Sequence, residues 1–351
     1  MLVLRVDDVA VAEEVSRAVH GLLDTGQRAK PVRFRGEVLL VLPQGSRELL
    51  DRLRTFPGVK QIHEIAVPYP LVSREWQPET TRVRVGNVTI GEGMPVVIAG
   101  PCSVESEVQV RAAADAAKRA GAHILRGGAY KPRTNPYSFQ GLGETGLKLL
   151  RAAADAVGLP VVTEVMSPSA VDVVSRYADM LQVGTRSMAN FDLLRALGSC
   201  GRPVLLKRGM SATVDEWLQA AEYIVAAGNS DVVLCERGIR SFDVATRNTL
   251  DLAGAVLAKQ RSHLPVVVDP SHGTGVVDLI GPMSLAAVAA GVDGIMVEMH
   301  PNPKEAFSDG QQALTPVQLE ELVAKVARLA DSLSPVYAGP GPRREYGVRN
   351  S

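Results

Sequence analysis

The sequence predicts an α/β protein, a (β/α)8 TIM barrel preceded by a small ferredoxin-like βαββαβ domain. Between residues 95 and 334, eight short runs rich in Val, Ile and Leu alternate with segments of helical periodicity. Before them, six segments follow the order β-α-β-β-α-β. An open doubly wound sheet is the alternative, but no GxGxxG turn follows the first of the eight runs.

Residues 1–69 are predicted to form the ferredoxin-like domain. Alternating apolar residues indicate the strands, and the apolar spacing of 3–4 residues indicates the helices. The first helix is expected to end near Gly26, and Ser46 is the expected N-cap of the second. The strands are predicted at 2–6, 32–36, 37–42 and 59–66, and the helices at 11–25 and 46–56. No set of residues in this domain is typical of catalysis.

Residues 70–94 are predicted to be a linker and a hairpin around Gly86–Asn87, and residues 95–334 the barrel. The runs that contain its strands are 95–103, 123–130, 160–166, 180–186, 203–209, 231–238, 265–272 and 294–300. Its helices are predicted at 107–121, 146–158, 168–178, 190–199, 213–228, 245–259, 283–292 and 315–333. The tail, residues 335–351, is rich in Gly, Pro and Arg, which predicts poor order.

The overall composition argues against a nucleic-acid or membrane partner. Lys and Arg total 38, Asp and Glu also total 38, and no apolar run approaches the length of a membrane-spanning helix. The N-terminus lacks the basic segment and apolar core of a signal peptide. Cys102, Cys200 and Cys235 are odd in number and widely spaced, so we expect reduced thiols and a cytoplasmic location.

Cationic side chains cluster at the predicted carboxyl ends of the strands, where barrels of this kind place their functional residues. The stretch RGGAYKPRTNPYSF, residues 126–139, contains three cations and no acid. A solvated basic loop is the simplest interpretation of such a stretch. However, the cations recur at several strand ends, which predicts a substrate with several negative charges. They are Arg126, Lys131, Arg133, Arg186, Lys207 and Arg237.

Metal-binding residue types occur at the same strand ends. Cys102, His272, Glu298 and Asp309 offer sulfur, nitrogen and oxygen donors, a mixture that suits a catalytic divalent transition metal. His300 is an alternative to His272, because it shares a strand face with Glu298. Cys200 and Cys235 are interpreted as structural.

Six motifs in this order resemble those of 3-deoxy-D-arabino-heptulosonate-7-phosphate (DAHP) synthases. They are AGPCSVES, LRGGAYKPRTNPYSFQGLG, LLKRG, CERGIR, DPSHGTG and VEMHPNPKEAFSDG. The resemblance covers residues 95–334 and is greatest to the type I-beta subgroup, which shares its lineage with 3-deoxy-D-manno-octulosonate-8-phosphate synthases. The N-terminal domain resembles the ferredoxin-like regulatory extension of some members.

The resemblance implies the condensation of phosphoenolpyruvate with erythrose 4-phosphate and water, which releases phosphate and begins the shikimate pathway. It implies one divalent metal ion, Mn²⁺ or a similar ion, and it selects His272 over His300. The implied metal ligands are Cys102, His272, Glu298 and Asp309. Phosphoenolpyruvate is placed among Arg126, Lys131, Arg186, Lys207 and Arg237, and the aldose phosphate at Arg133 and Thr134.

By the same resemblance, Lys131 is expected to protonate the alkoxide that forms at the aldehyde oxygen. The implied catalytic set is Lys131, Cys102, His272 and Glu164. Two alternatives stay open for the group that activates the attacking water, namely Glu164 and a hydroxide on the metal. Tetramers are common in the family, so a homotetramer is expected.

The sequence differs from what three alternative interpretations would require. Octulosonate synthases use arabinose 5-phosphate and typically read KANRS where this chain reads KPRT. A metal-independent member would carry Asn in place of Cys102. A non-catalytic phosphosugar-binding regulator would have lost metal ligands or cations, and all are present.

The N-terminal domain has two interpretations. Without the resemblance, it is a passive stability or assembly module. With it, feedback regulation by tyrosine or phenylalanine is expected, with paired modules held over the strand-end rim so that they obstruct the substrates.

Overall fold

The structure is a computed structural model that describes residues 1–20, 29, 31–43, 47–133 and 135–337, with side chains to residue 333. Gly26, Ser46 and Thr134, which the sequence analysis singled out, lie outside these residues, as do positions 338–351. Among the helices of the described residues, none is long and apolar enough to cross a membrane.

The N-terminal domain is a four-stranded antiparallel sheet in the order β2-β3-β1-β4, which confirms the ferredoxin-like topology. Asp8 caps the first helix, since its Oδ1 accepts a hydrogen bond from the backbone N–H of Val11 at 2.9 Å. Both helices pack on one sheet face, against Leu4 and Leu40. The elements are β1 (Leu2–Val6), α1 (Val9–Val19), β2 (Pro31–Phe34), β3 (Glu37–Leu42), α2 (Arg47–Arg54) and β4 (Val59–Glu64).

The other face of this sheet packs against the barrel. Phe34 is buried there, with its ring 6.3 Å from Trp76 and 6.1 Å from His263 in edge-to-face geometry. The contact lies near the amino ends of the barrel strands, because His263 precedes one strand and Asp231, 3.8 Å from Arg35, precedes another. The domain therefore sits away from the rim where the predicted site residues lie.

The segment predicted as a linker is packed along the barrel. Leu71 and Val72 are fully buried, and their N–H groups donate at 3.0 Å to the two carboxylate oxygens of Glu222. The Tyr69 hydroxyl donates to Asp215 at 3.1 Å. These contacts fix the direction in which the chain leaves the N-terminal domain.

A hairpin follows, as predicted, with β5 (Val83–Val85) and β6 (Val88–Ile90). Val83, Val85 and Ile90 are buried in one cluster with barrel residues that include Ile98 and Met296. The hairpin thus plugs the amino end of the barrel. Its turn needs Gly86, whose φ is +60° and whose added Cβ would lie 3.0 Å from Pro160.

Eight parallel strands close into the predicted barrel. The first and last strands pair directly, from Val96 opposite Gly294 to Gly100 opposite Glu298. Nearly every strand residue is buried, as expected of β-branched runs enclosed on both faces. The strands are β7 (Val96–Gly100), β8 (Ile124–Arg126), β9 (Val161–Val165), β10 (Met180–Val183), β11 (Val204–Lys207), β12 (Val232–Glu236), β13 (Val266–Val268) and β14 (Gly294–Glu298).

Helices connect the strands and surround the barrel. They are α3 (Glu107–Ala120), α4 (Gly143–Val157), α5 (Val171–Ser175), α6 (Phe191–Leu197), α7 (Val214–Ala226), α8 (Leu252–Arg261), α9 (Pro270–Thr274), α10 (Val277–Ala289) and α11 (Pro316–Tyr337). α9 was not predicted, since residues 265–272 were expected to hold the end of a strand that in the structure stops at Val268. α10 begins six residues earlier than predicted.

Two further predicted boundaries differ from the structure. The helix expected from residue 245 begins at Leu252, because the N–H groups of Arg247 and Asn248 bond to the carbonyls of Thr274 and Gly273 in a loop. The last helix continues to Tyr337, so residues 335–337 belong to it rather than to the tail.

Candidate active site

A cavity of about 290 Å³ opens at the carboxyl ends of the barrel strands. Among the described residues, seven Lys or Arg side chains line it, against two carboxylates, Glu164 and Asp309. The excess of cations makes the cavity suited to anionic ligands. The seven are Arg126, Lys131, Arg133, Arg186, Lys207, Arg237 and Arg247.

The four predicted metal ligands meet beside this cavity. One donor atom from each of Cys102, His272, Glu298 and Asp309 lies within 4.8 Å of all the others. The barrel closure explains the meeting, because Cys102 follows β7 and Glu298 ends its neighbour β14. His272 lies on α9, directly after β13, and the Cys102 Sγ is 3.1 Å from Asp309 Oδ2.

The His272 ring is oriented by Asp269. This fully buried carboxylate caps α9 by accepting from the His272 N–H at 3.0 Å, and its Oδ2 lies 2.7 Å from His272 Nδ1. Lys207 Nζ contacts the same oxygen at 2.5 Å. Nε2 is thereby directed at Glu298 Oε1, 3.1 Å away. This is the arrangement that positions a histidine for a metal.

Charge pairing has a larger effect than burial on the pKa values of His272, Glu298 and Asp269. Burial alone would lower the pKa of His272, but Asp269 and Glu298 raise it to about 9. Burial would likewise raise the pKa of Glu298, yet His272 and Arg126 hold it well below its usual range. The pKa of Asp269 is also held far below its usual range, by His272 and Lys207.

Arg126 has an acidic partner that its own stretch of sequence does not contain. The stretch that contains it has no acid, but Arg126 Nη1 lies 2.6 Å from Glu298 Oε1, with both side chains buried. The partner comes from the last barrel strand, 172 positions away. A local stretch of sequence cannot show such a contact. Lys207 is paired in the same way with Asp269.

Lys131 lies between the cation cluster and the metal-binding donors. Its buried Nζ is 2.8 Å from the carbonyl oxygen of Cys102 and 3.0 Å from the Cys102 Sγ. Gly128 makes this approach possible, because an added Cβ would lie 2.7 Å from the Cys102 carbonyl and 2.9 Å from the Lys131 side chain.

The other predicted substrate residues occupy the cavity wall. Arg237 is buried and donates to the carbonyl of His272 at 3.1 Å, whereas Arg186 is exposed and Arg133 is half-buried. Glu164 also faces the cavity, where its Oε2 accepts a hydrogen bond from Gln182 at 3.1 Å. Thr134, predicted beside Arg133, lies outside the described residues.

The remaining candidates lie apart from the metal-binding cluster. His300 Nε2 faces Glu105 at 3.4 Å rather than the four donors, so the geometry favours His272. Cys235 is fully buried inside β12, and burial raises the pKa of its thiol. Cys200 is half-buried and donates to the carbonyl of Arg202.

Sequence reasoning missed three residues at the site. Arg247 lines the cavity, but it was placed inside a predicted helix. Gln312 is fully buried and donates to Glu298 at 2.7 Å, and nothing in its local sequence distinguishes it from Gln311. A third residue, Gln182, carried a usable signal, since a polar residue interrupts the apolar run MLQV.

Comparison with known proteins assigns the family. The profile of the DAHP synthetase I family matches residues 72–334, which is most of the chain. The chain belongs to this family. It is 50% identical to phospho-2-dehydro-3-deoxyheptonate aldolase of Thermotoga maritima, over 81% of this chain and 84% of that protein. A 2-dehydro-3-deoxyphosphooctonate aldolase of Acidithiobacillus ferrooxidans is 32% identical, over 65% and 86%.

Solved structures of DAHP synthase also resemble this chain. The crystal structure of phospho-2-dehydro-3-deoxyheptonate aldolase (DAHP synthase) from Thermotoga maritima has a TM-score of 0.76 at 42% identity, covering 95% of this chain and 98% of its own. A truncated form of 3-deoxy-D-arabino-heptulosonate 7-phosphate synthase from the same organism gives 0.71 at 47% identity, covering 76% and 98%. Membership of the DAHP synthetase I family confirms the resemblance seen in the motifs.

Proposed function

We propose that this protein is a metal-dependent DAHP synthase, which joins phosphoenolpyruvate to erythrose 4-phosphate and water and releases phosphate. The observation that carries the proposal is the position of four potential metal ligands beside a cavity lined by seven cations. Both substrates are anionic phosphates, so this cavity matches their charge. The relatives named as heptonate aldolases support the same reaction.

The residues present fit a divalent transition metal. One thiol, one imidazole and two carboxylates form a mixed donor set, and their donor atoms lie within 4.8 Å of one another. Cys102, His272, Glu298 and Asp309 would hold the ion. When bound, it supplies a Lewis acid that polarises a carbonyl oxygen.

The buried cations bind and orient phosphoenolpyruvate. Arg126, Lys207 and Arg237 are each about 4% exposed or less, so their interaction with a substrate anion is screened little by water. Arg126 and Lys207 are also held by Glu298 and Asp269, which fixes their positions before substrate binds. Such preorganised charge is usually the largest contribution to catalysis of this kind.

The reaction needs one proton donor and one proton acceptor, and we assign both to side chains of this protein. C3 of phosphoenolpyruvate attacks the aldehyde carbon, and the aldehyde oxygen takes a proton, which Lys131 is placed to donate. Water adds at C2 and loses one proton, and the bond between C2 and the phosphate oxygen then breaks, with the remaining hydroxyl proton passing to the departing phosphate as the C2 carbonyl forms. Glu164 faces the cavity and is the side chain that we assign to accept the water proton.

A phosphate-release assay tests the reaction. Purified protein with Mn²⁺ should release phosphate when it receives phosphoenolpyruvate and erythrose 4-phosphate, and dialysis against a chelator should abolish this activity. Cys102→Ala should be inactive with an unchanged melting temperature. Faster turnover with arabinose 5-phosphate would instead assign the octulosonate reaction, and full activity in metal-free protein would refute the metal requirement.

Arg133 tests which substrate each cation binds. It is half-buried on the cavity wall, outside the buried cation set, so we place the aldose phosphate there. Arg133→Ala should raise the KM for erythrose 4-phosphate at least tenfold, because a charged hydrogen bond contributes about 1.5–3 kcal/mol. The KM for phosphoenolpyruvate should change far less. An equal effect on both substrates would remove Arg133 from this role.

We further propose that residues 1–69 regulate the enzyme through tyrosine or phenylalanine. The domain has a complete ferredoxin-like topology, contributes none of its described residues to the cavity, and meets the barrel through a defined contact at Phe34 and Trp76. Because it lies near the amino ends of the strands in its own chain, obstruction of the rim requires movement or a second subunit. The effector must bind the obstructed arrangement more tightly.

A further inference from the structure

Gln312 connects the metal-binding cluster to a neighbouring loop. Its side chain is fully buried in the segment between β14 and α11. Nε2 donates to Glu298 Oε2 at 2.7 Å, and Oε1 accepts from Arg247 Nη1 at 2.7 Å. The amide therefore bridges a carboxylate of the cluster and an arginine of the loop before α8.

The orientation of this amide is fixed by its partners. An ionised carboxylate can only accept hydrogen bonds and a guanidinium can only donate them. The Gln312 nitrogen must therefore face Glu298, and its oxygen must face Arg247. Gln312 donates its hydrogen bond to Oε2 of Glu298, while Oε1 of Glu298 faces His272 and Arg126.

Arg247 also reaches the second carboxylate of the cluster. Its Nη1 lies 3.5 Å from Asp309 Oδ1, and Oδ2 of the same carboxylate faces the Cys102 Sγ. Asp309 has a φ of +52°, a left-handed conformation that is uncommon outside glycine and is kept only where the surroundings hold it.

The Arg247 backbone is tied to the segment that carries His272. Its N–H donates to the Thr274 carbonyl at 2.8 Å, at the end of α9. A Cβ added to Gly275, where φ is +68°, would lie 2.6 Å from the Arg247 Cβ, so the backbone segments that contain these two residues are in close contact. Arg247 thus links three ligand-bearing segments.

We infer that Gln312 and Arg247 are positioning residues that hold Glu298 and Asp309 in the arrangement that receives the metal, an inference that rests on the proposed metal site. Each carboxylate has one oxygen held by this pair and one oxygen facing the other ligands. Partners of this kind typically change metal affinity by about 10- to 100-fold when they are removed.

Substrate binding is the competing role for Arg247, because it lines the cavity. Metal affinity measured without either substrate separates the two roles. A substrate-binding arginine would leave the affinity for Mn²⁺ alone unchanged, whereas a positioning residue would alter it. Gln312 is absent from the cavity wall and reaches the cluster through Glu298.

The experiment titrates metal-free full-length protein with Mn²⁺ alone, by equilibrium dialysis and metal analysis. The variants are Gln312→Leu, Gln312→Glu, Arg247→Met and the double variant Gln312→Leu/Arg247→Met. Gln312→Glu keeps a partner for Arg247 but cannot donate to Glu298. Gln311→Leu is the matched control, since it is the exposed neighbour of the same residue type.

We expect both Gln312 variants to weaken Mn²⁺ binding by about 10- to 100-fold, while Gln311→Leu matches the wild type. The double variant should weaken binding by less than the product of the single effects, because the two residues act on each other. Unchanged affinity in folded Gln312→Leu and Arg247→Met would overturn the inference. If Gln312→Leu does not fold, Arg247→Met decides. A wild type that binds no Mn²⁺ would refute the proposed metal site, and this inference with it.

Discussion

At the scale of single residues, the site is built from charges that are buried in pairs. Glu298 alone contacts Arg126, His272 and Gln312, and it is fully buried. Leaving one such charge without its partner typically costs about 3–5 kcal/mol, so each of these residues constrains the others. The pairs hold the site in one arrangement before any ligand binds.

His272 makes metal binding dependent on pH. Its pKa of about 9 means that the ring is protonated at neutral pH in metal-free protein, and an ion must displace that proton. Because the ligands bind in their deprotonated forms, raising the pH from 6 to 8 should tighten Mn²⁺ binding by at least about tenfold per unit. Titrations at several pH values measure the slope. Asp269→Asn should flatten it, because the Asp269 carboxylate raises the His272 pKa. A pH-independent affinity in the wild type would contradict the assignment.

The sequence predicted those parts of the site that follow from strand position. Residues such as Cys102 and His272 stand directly after buried runs, so the barrel rule places them at one rim. Contacts set by closure of the barrel could not be predicted this way. Arg126 and Glu298 meet only because the second strand and the last both flank the first. Arg247 was missed because its backbone bonds to α9 instead of forming a helix.

At the scale of elements, α7 joins the barrel to the segment after the N-terminal domain. The carboxylate of Glu222, on this helix, accepts the N–H groups of Leu71 and Val72. Burial raises its pKa to about 8, and the two donors offset this only in part. The sequence predicted α7 and the segment before the hairpin separately, but it did not show that Glu222 joins them by hydrogen bonds.

Glu222 should make stability fall as the pH rises. Its folded-state pKa lies above its unfolded value, so the folded state binds the extra proton and loses stability between about pH 4.5 and 8. Relative to Glu222→Gln, the wild type should lose on the order of 2 kcal/mol in free energy of unfolding between pH 5 and 8. Urea denaturation at both values measures this. Glu320→Gln, a substitution at an exposed site, should show the same change in free energy of unfolding with pH as the wild type. Identical slopes for all three proteins would contradict the prediction.

At the scale of the whole molecule, we place the boundary between the N-terminal domain and the barrel before residue 69. Tyr69, Leu71 and Val72 belong to the barrel surface by their contacts, although the sequence suggested a linker there. A cut within residues 71–81 would remove partners from the half-buried side chain of Glu222 and from the buried side chain of His263. The contact at Phe34 and Trp76 joins the N-terminal sheet to this segment.

Removal of residues 1–65 should leave an active barrel that no longer responds to tyrosine or phenylalanine. The cavity receives none of its described lining from those residues, so turnover should stay within about twofold of the full chain. Phosphate release with and without each amino acid measures the response. Trp76 and Trp217 are the two tryptophans, and Trp76 lies at the contact with Phe34 of the N-terminal domain, so effector binding that shifts this domain should change emission in the full chain. Inhibition that survives the deletion would refute a regulatory role for this domain.

The hairpin that plugs the barrel has a kinetic consequence. Within the described part of the chain, Val83, Val85 and Ile90 close the amino end, so reactants arrive and products depart through the opposite rim. Arg126, Lys207 and Arg237 are buried at this rim, whereas Arg133 is half-buried, so we expect a molecule bound at Arg133 to lie nearer the opening. With the aldose phosphate at Arg133, as proposed, phosphoenolpyruvate is expected to bind first and the aldose second. An aldose that binds first would then block the cavity, and we expect high erythrose 4-phosphate to inhibit the enzyme.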